Sequence, residues 1–185
     1  CTSALPIART VRTRMAERYG AQRQATLVET GNLGFMEYGC GDREAGLAYL
    51  RQAERELREH YGAGNVAAHS FRFGLAKALV EQARYDEALE MVDGLDVAAL
   101  TAGDATPGWE HRLRALRGRI LVLSGDGDAG RPLLRDSLPA LRVLGTEAPA
   151  EMEQLQRLLD GGTVTGTDTD TGAGPDADIV AEAGS

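Results

Sequence analysis

Aromatic residues are scarce in this chain, 5% of its 185 residues against a hydrophobic fraction of 43%. Leu and Ala carry most of the apolar surface, which favours closely packed helices over sheets of β-branched and aromatic side chains. Lysine is nearly missing, with Lys77 the one Lys among 20 basic residues. No apolar run reaches the roughly 18 residues of a membrane-spanning helix. The two cysteines, Cys1 and Cys40, are too few for a disulfide framework and have no metal-ligand spacing. Basic charge is nowhere concentrated. The net charge is −8, and Asp168, Asp170, Asp176, Asp178 and Glu182 stand in the last 25 residues without a Lys or Arg. A near-neutral body with an acidic end offers no footprint for nucleic acid or an anionic membrane. The chain opens on Cys1 rather than Met, as a piece of a longer polypeptide would; a mature lipoprotein would also begin with Cys. The expected location is the cytoplasm, with the periplasm, or lipid anchoring through Cys1, as alternatives.

What the sequence does have is a repeat. A shift of 42 residues aligns small residues in three columns: Gly41, Ala83 and Gly125; Gly34, Ala76 and Gly118; Ala4, Gly46, Ala88 and Gly130. Apolar columns follow, with Leu5, Leu47 and Leu89, then Ala8, Leu50, Val92 and Leu134, then Met15, Leu57, Ala99 and Leu141. Tyr19-Gly20-Ala21 matches Tyr61-Gly62-Ala63, and Gly103 and Pro107 match Gly145 and Pro149. A fixed period of this length signals an array of supersecondary units that bury their apolar faces only by stacking.

Each unit reads as two helices. First helices run over Thr26–Tyr38, through Leu75–Val80, and over Trp109–Leu123. Second helices begin at the Gly46/Ala88/Gly130 column, with apolar residues every three or four positions. Small residues at the columns allow two helix backbones to approach closely. Pro6 and Pro132 are equivalent, and both are expected in a first helical turn, where a missing N–H costs little.

The small-residue spacing in Leu75-Ala76, Leu79 and Ala83-Arg84-Tyr85-Asp86-Glu87-Ala88-Leu89 resembles the tetratricopeptide pattern. The 42-residue period is similar to its kinesin-light-chain subtype, whose loop Gly103 to Pro107 and Gly145 to Pro149 approximate. HEAT-type repeats have a similar length and are the competing assignment. Glu37 departs from the pattern, in a column otherwise held by Leu79 and Leu121. The resemblance implies an all-α fold, an α-α superhelix or solenoid of antiparallel helix pairs. It covers residues 1–160, with a partial repeat over 2–21, full repeats over about 22–64, 65–106 and 107–146, and a capping helix over 149–160. Residues 161–185 hold six Gly, five Thr and five acids, and are expected to be a disordered acidic tail.

No motif makes a catalytic case, and no cofactor or metal is expected. Gly125-Asp126-Gly127-Asp128-Ala129-Gly130 matches the glycine fingerprint of dinucleotide sites after Ile120–Leu123. Its end glycines already belong to repeat columns, and its aspartates would face a pyrophosphate. His69 and His111 lie 42 apart without a third ligand. Asp168, Asp170 and Gly172 begin like a calcium loop that lacks its sixth-position Gly and closing Glu.

In the resembled family the first helices line a concave face. Position by position, that puts a peptide-binding stripe at Val28, Asn32, Phe35, Tyr38, Phe73, Lys77, Arg112 and Arg119, suited to a peptide carrying an acidic residue or a free carboxylate. The expected function is a non-enzymatic protein- or peptide-binding scaffold, the C-terminal part of a larger bacterial signalling or regulatory protein. The alternatives are a structural or self-association segment docking through the N-terminal helix (Leu5, Ala8, Val11, Met15), and a nucleotide-binding fragment using Gly125–Gly130.

Overall fold

A computed structural model describes residues 1–103 and 107–162 of the chain. Those residues form nine helices and no strand. They are α1 (Ala4–Tyr19), α2 (Gln24–Gly39), α3 (Arg43–Tyr61), α4 (Val66–Glu81), α5 (Tyr85–Asp93), α6 (Val97–Gly103), α7 (Trp109–Leu123), α8 (Gly127–Leu144) and α9 (Pro149–Leu159). The chain divides into two compact units between Ala78 and Leu79. The first holds α1, α2, α3 and most of α4; the second holds α5 to α9. Neighbouring helices pack in pairs, α2 on α3 and α7 on α8. The fold is an all-α helical repeat. The acidic tail and its calcium-like aspartates, together with Thr106 of the expected loop, lie outside the described residues.

Two of the three small-residue columns explain the pairing. A Cβ on Gly46 of α3 would come 2.7 Å from the Tyr38 nitrogen and 2.8 Å from the Gly34 carbonyl oxygen of α2. In the second unit, a Cβ on Gly130 of α8 would meet the Gly118 oxygen at 2.6 Å and the Val122 nitrogen at 2.8 Å of α7. The same crossing is therefore built twice, 84 residues apart, with backbone against backbone. Leu47, Leu50 and Leu57 of α3 and Leu134 and Leu141 of α8 fill the space beside it and are fully buried.

The third column has a different cause. No atom lies within 4 Å of a Cβ on Gly41 or Gly125, but both have positive φ, 104° and 101°, and Ala83 takes the same region at 55°. In each of these turns the residue after the column donates its N–H to a carbonyl five residues back: Asp42 to Glu37, Arg84 to Leu79 and Asp126 to Leu121. This is the Schellman helix stop, which favours a left-handed residue. Asp42 and Asp126 then cap the next helix, their carboxylates accepting from Ala45 N and Ala129 N at 3.1 Å. Tyr19-Gly20 and Tyr61-Gly62 end α1 and α3 in matching fashion, Gly20 and Gly62 donating to Ala16 O and Arg58 O.

Three expectations need correction. The second helix of the third repeat is not continuous: α5 ends at Gly94, and Asp96 starts α6 by accepting from Ala98 N and Ala99 N. Ala99 is thus in a separate short helix, and Leu100 takes the buried place beside it. Pro132 stands in the second turn of α8, and Pro139 lies inside the same helix. The cysteines, read as too few for a disulfide framework, are nonetheless joined: Cys1 and Cys40 form a disulfide with Cα atoms 5.4 Å apart. Spacing alone does not reveal such a pair, because the 39-residue separation closes only when α1 folds back along α2.

Candidate functional site

In the first unit, α2 and α4 carry the predicted first-helix residues. Their contact is a reciprocal packing of phenylalanine on glycine. A Cβ on Gly31 would sit 2.3 Å from the Phe71 ring, and one on Gly74 would sit 2.4 Å from the Phe35 ring. The two rings meet at 5.8 Å between centres. Tyr38 lies along the same seam and donates its hydroxyl to the Ala78 carbonyl at 3.0 Å. Phe35, Tyr38 and Phe73 are buried. Their apolar area is used in holding helices together, and little of it is left to meet a ligand.

The other three residues on these helices keep accessible surface. Val28 and Asn32, one turn apart on α2, are half-buried, and so is Lys77 on α4, its ammonium 5.8 Å from the centre of the Phe73 ring. Among these three, Asn32 carries an unmet polar atom. Its Oδ1 is shielded and has no hydrogen-bond partner among the described residues. A buried amide oxygen left unmet costs about 1–3 kcal/mol.

In the second unit the predicted cations are engaged. The Arg112 Nε donates to the Glu147 carboxylate at 2.5 Å, with both side chains almost wholly buried, and its guanidinium stacks 4.6 Å from the Trp109 ring centre. Arg119 Nη1 lies 3.7 Å from Glu151 of α9, an ion pair without a hydrogen bond, while its shielded Nε has no hydrogen-bond partner among the described residues. The expected capping helix supplies Glu151 and the turn just before it supplies Glu147, while Leu155 and Leu158 of the helix join a core with Ala115, Leu134, Leu138 and Leu141. An Arg column that reads as open to an acidic peptide is thus neutralised from within. Nothing in the sequence marks Glu147 and Glu151 as partners, since both lie outside the repeated columns.

Glu37, by contrast, announces itself by standing in an apolar column. It is 1% exposed and meets Arg9 of α1, which contacts Glu37 Oε1 through Nε at 2.7 Å and Nη2 at 2.6 Å. Arg12, three residues on, donates to Thr30 Oγ1 at 3.1 Å and lies 5.7 Å from the Tyr49 ring centre. The column takes an acid here because an arginine of the preceding helix crosses it.

At the glycine fingerprint, Ile120–Leu123 are the last turn of α7, so no strand leads into the turn. Asp126 occupies the free amide end of α8. A surface hollow of about 220 Å³ is lined by Val122, Gly125, Asp126, Gly127, Asp128 and Arg131. No group of three or more His, Cys, Asp or Glu could hold a metal among the described residues. Nor is any helix there long and apolar enough to cross a membrane. The chain matches no family model, no curated protein and no solved structure.

Proposed function

We propose that this chain is a tetratricopeptide-like scaffold that binds an extended peptide or protein segment along α2 and α4, with Val28, Asn32 and Lys77 as the contact residues. The observation that carries the reading is Asn32. Its carbonyl oxygen is shielded and unmet, but the residue is only half-buried, and a turn of the side chain offers that oxygen to a peptide N–H. Val28 adds apolar contact one turn away, and Lys77 selects for a carboxylate on the ligand. Phe35, Tyr38 and Phe73 support these residues from below. Arg112 and Arg119 serve the second unit's internal ion pairs. The role in a larger bacterial signalling or regulatory protein belongs to the same reading. The disulfide moves the favoured compartment from the cytoplasm to an oxidising one. Sγ of Cys1 cannot hold a lipid thioether while it is bonded to Cys40.

Selection from a random peptide library on the immobilised chain tests this. Selected peptides should carry a carboxylate and lose at least about ten-fold in affinity to Asn32→Ala with Lys77→Glu, the loss expected for one hydrogen bond and one ion pair. Glu59→Ala, at an exposed position of α3, should change nothing. Peptides indifferent to the double substitution would place binding elsewhere.

One observation favours self-association as a second reading. On α1, Ile7 is 63% and Val11 40% exposed, on neighbouring turns of one face. Leu5, Ala8 and Met15 are half-buried, so the sticky surface is centred on Ile7 and Val11.

A further inference from the structure

Helix α1 has no fully buried residue, and Leu5, Ala8 and Met15 are only half-buried, so apolar burial holds it weakly. Its attachments are the Cys1–Cys40 bond, Arg9 on Glu37, and Arg12 on Thr30 and Tyr49. Beneath it, Thr26, Thr30, Leu33 and Glu37 form one stripe of α2 at helical spacing, and all four are buried. Two polar atoms of that stripe, Thr26 Oγ1 and Glu37 Oε2, are shielded and have no hydrogen-bond partner among the described residues. Unmet buried groups keep their full desolvation cost, so α1 is an imperfect cover. A helix with one more donor at each place fits better. Cys1 is exposed and Cys40 half-buried, which puts the disulfide within reach of a reductant.

We propose that Cys1–Cys40 is a redox latch on α1, and that its reduction uncovers the Thr26–Glu37 stripe for a cationic amphipathic helix of a partner protein. The reductant is a dithiol. Its thiolate attacks one sulfur, the S–S bond breaks, and a mixed disulfide forms. The second thiol of the reductant then displaces the protein sulfur. The dithiol leaves as a disulfide, and Cys1 and Cys40 gain two electrons and two protons as free thiols. Without the bond, α1 stays joined to α2 only through residues 20–23, and its N-terminal end loses the second link that holds it over the stripe. The partner is cationic because Glu37 is the charged group of the stripe. It is helical because α1, with four Arg against one Glu, already fills the place as a helix. This inference is independent of the α2–α4 reading, since the stripe meets α1 and the Gly31–Phe35 side meets α4.

Amide hydrogen exchange and fluorescence anisotropy test it on the full chain, oxidised, reduced with dithiothreitol, and as Cys40→Ser. The probe is a labelled peptide with the sequence of residues 2–19. Reduction and Cys40→Ser should each speed exchange in α1 at least about ten-fold, while α2 and α3 keep their protection. The peptide should bind the reduced chain at least about ten-fold more tightly than the oxidised one, as expected when an intramolecular competitor keeps one of its two links. Glu37→Gln should weaken that binding, and Asn32→Ala should leave it unchanged. Unaltered α1 exchange after reduction overturns the proposal. So does equal peptide binding in both redox states, or a rise in exchange shared by α1, α2 and α3.

Discussion

Adding a single methyl group at Gly46 should separate α2 from α3. Alanine is the better helix former by about 1 kcal/mol, so propensity alone predicts a gain. Packing predicts the reverse. The new Cβ would lie 2.6 Å from Tyr38 Cβ, 2.7 Å from its nitrogen and 2.8 Å from the Gly34 oxygen. Two of these atoms are backbone, so no rotamer change relieves the contact and the helices themselves must move apart. Overpacking of this kind costs about 1–3 kcal/mol or more, and a backbone clash belongs at the upper end. Leu33, Leu47 and Leu50, each at most 2% exposed, lose contacts as the gap opens. The net expectation is a loss of about 2 kcal/mol, or roughly 10 °C in the melting midpoint for a unit of this size. Gly64→Ala is the control, because nothing lies within 4 Å of its Cβ and its φ is ordinary. Circular dichroism melts of the native chain, Gly46→Ala, Gly130→Ala and Gly64→Ala make the comparison. If Gly46→Ala melts at or above the native temperature, the close crossing is not what holds the pair together.

Other outcomes follow from the same geometry. Arg112→Ala should destabilise the second unit by about 3–5 kcal/mol in denaturant melts, because it leaves the Glu147 carboxylate buried without its cation. Arg114→Ala, from an exposed pair with Glu110, should cost under about 1 kcal/mol. Arg9→Met and Glu37→Leu together should be neutral or stabilising, whereas Arg9→Ala alone should be costly; a double-mutant cycle reads the difference. Ala83→Gly should stabilise by about 1 kcal/mol, since Ala83 holds a left-handed φ of 55° that glycine adopts without penalty. Ile7→Ser with Val11→Ser should lower any self-association seen by light scattering at high concentration.

The helix pairs, their register and the glycine crossings were legible because they follow a period, and a period is visible in one sequence. Gly46 and Gly130 mark their crossings as small residues among apolar ones, and Trp109–Leu123 is bounded in the sequence as it is in the fold. The break between α5 and α6 was harder to see. Gly94 and Asp96 interrupt a pattern that the other second helices continue, and a local cap outweighs the inherited register there. The site was less legible for a related reason. Repeat columns say which residues are equivalent but not which of them the neighbouring helix covers. By column alone Phe35 and Phe73 face a ligand, yet Phe35 and Phe71 lie over Gly74 and Gly31, a complementarity that needs both helices in place. Arg112 and Arg119 gain their acids from Glu147 and Glu151, outside the repeat. Cys1 and Cys40 are joined by a chain reversal that no spacing rule encodes.

The most direct test of the binding account is chemical-shift mapping on the ¹⁵N-labelled chain with a library-selected peptide. Saturable shifts should concentrate in α2 and α4, at the Asn32 side-chain amide and at the backbone of Val28 and Lys77, and they should vanish in Asn32→Ala with Lys77→Glu. Shifts confined to α3, α5 or α8, with the Asn32 amide unmoved, would contradict it.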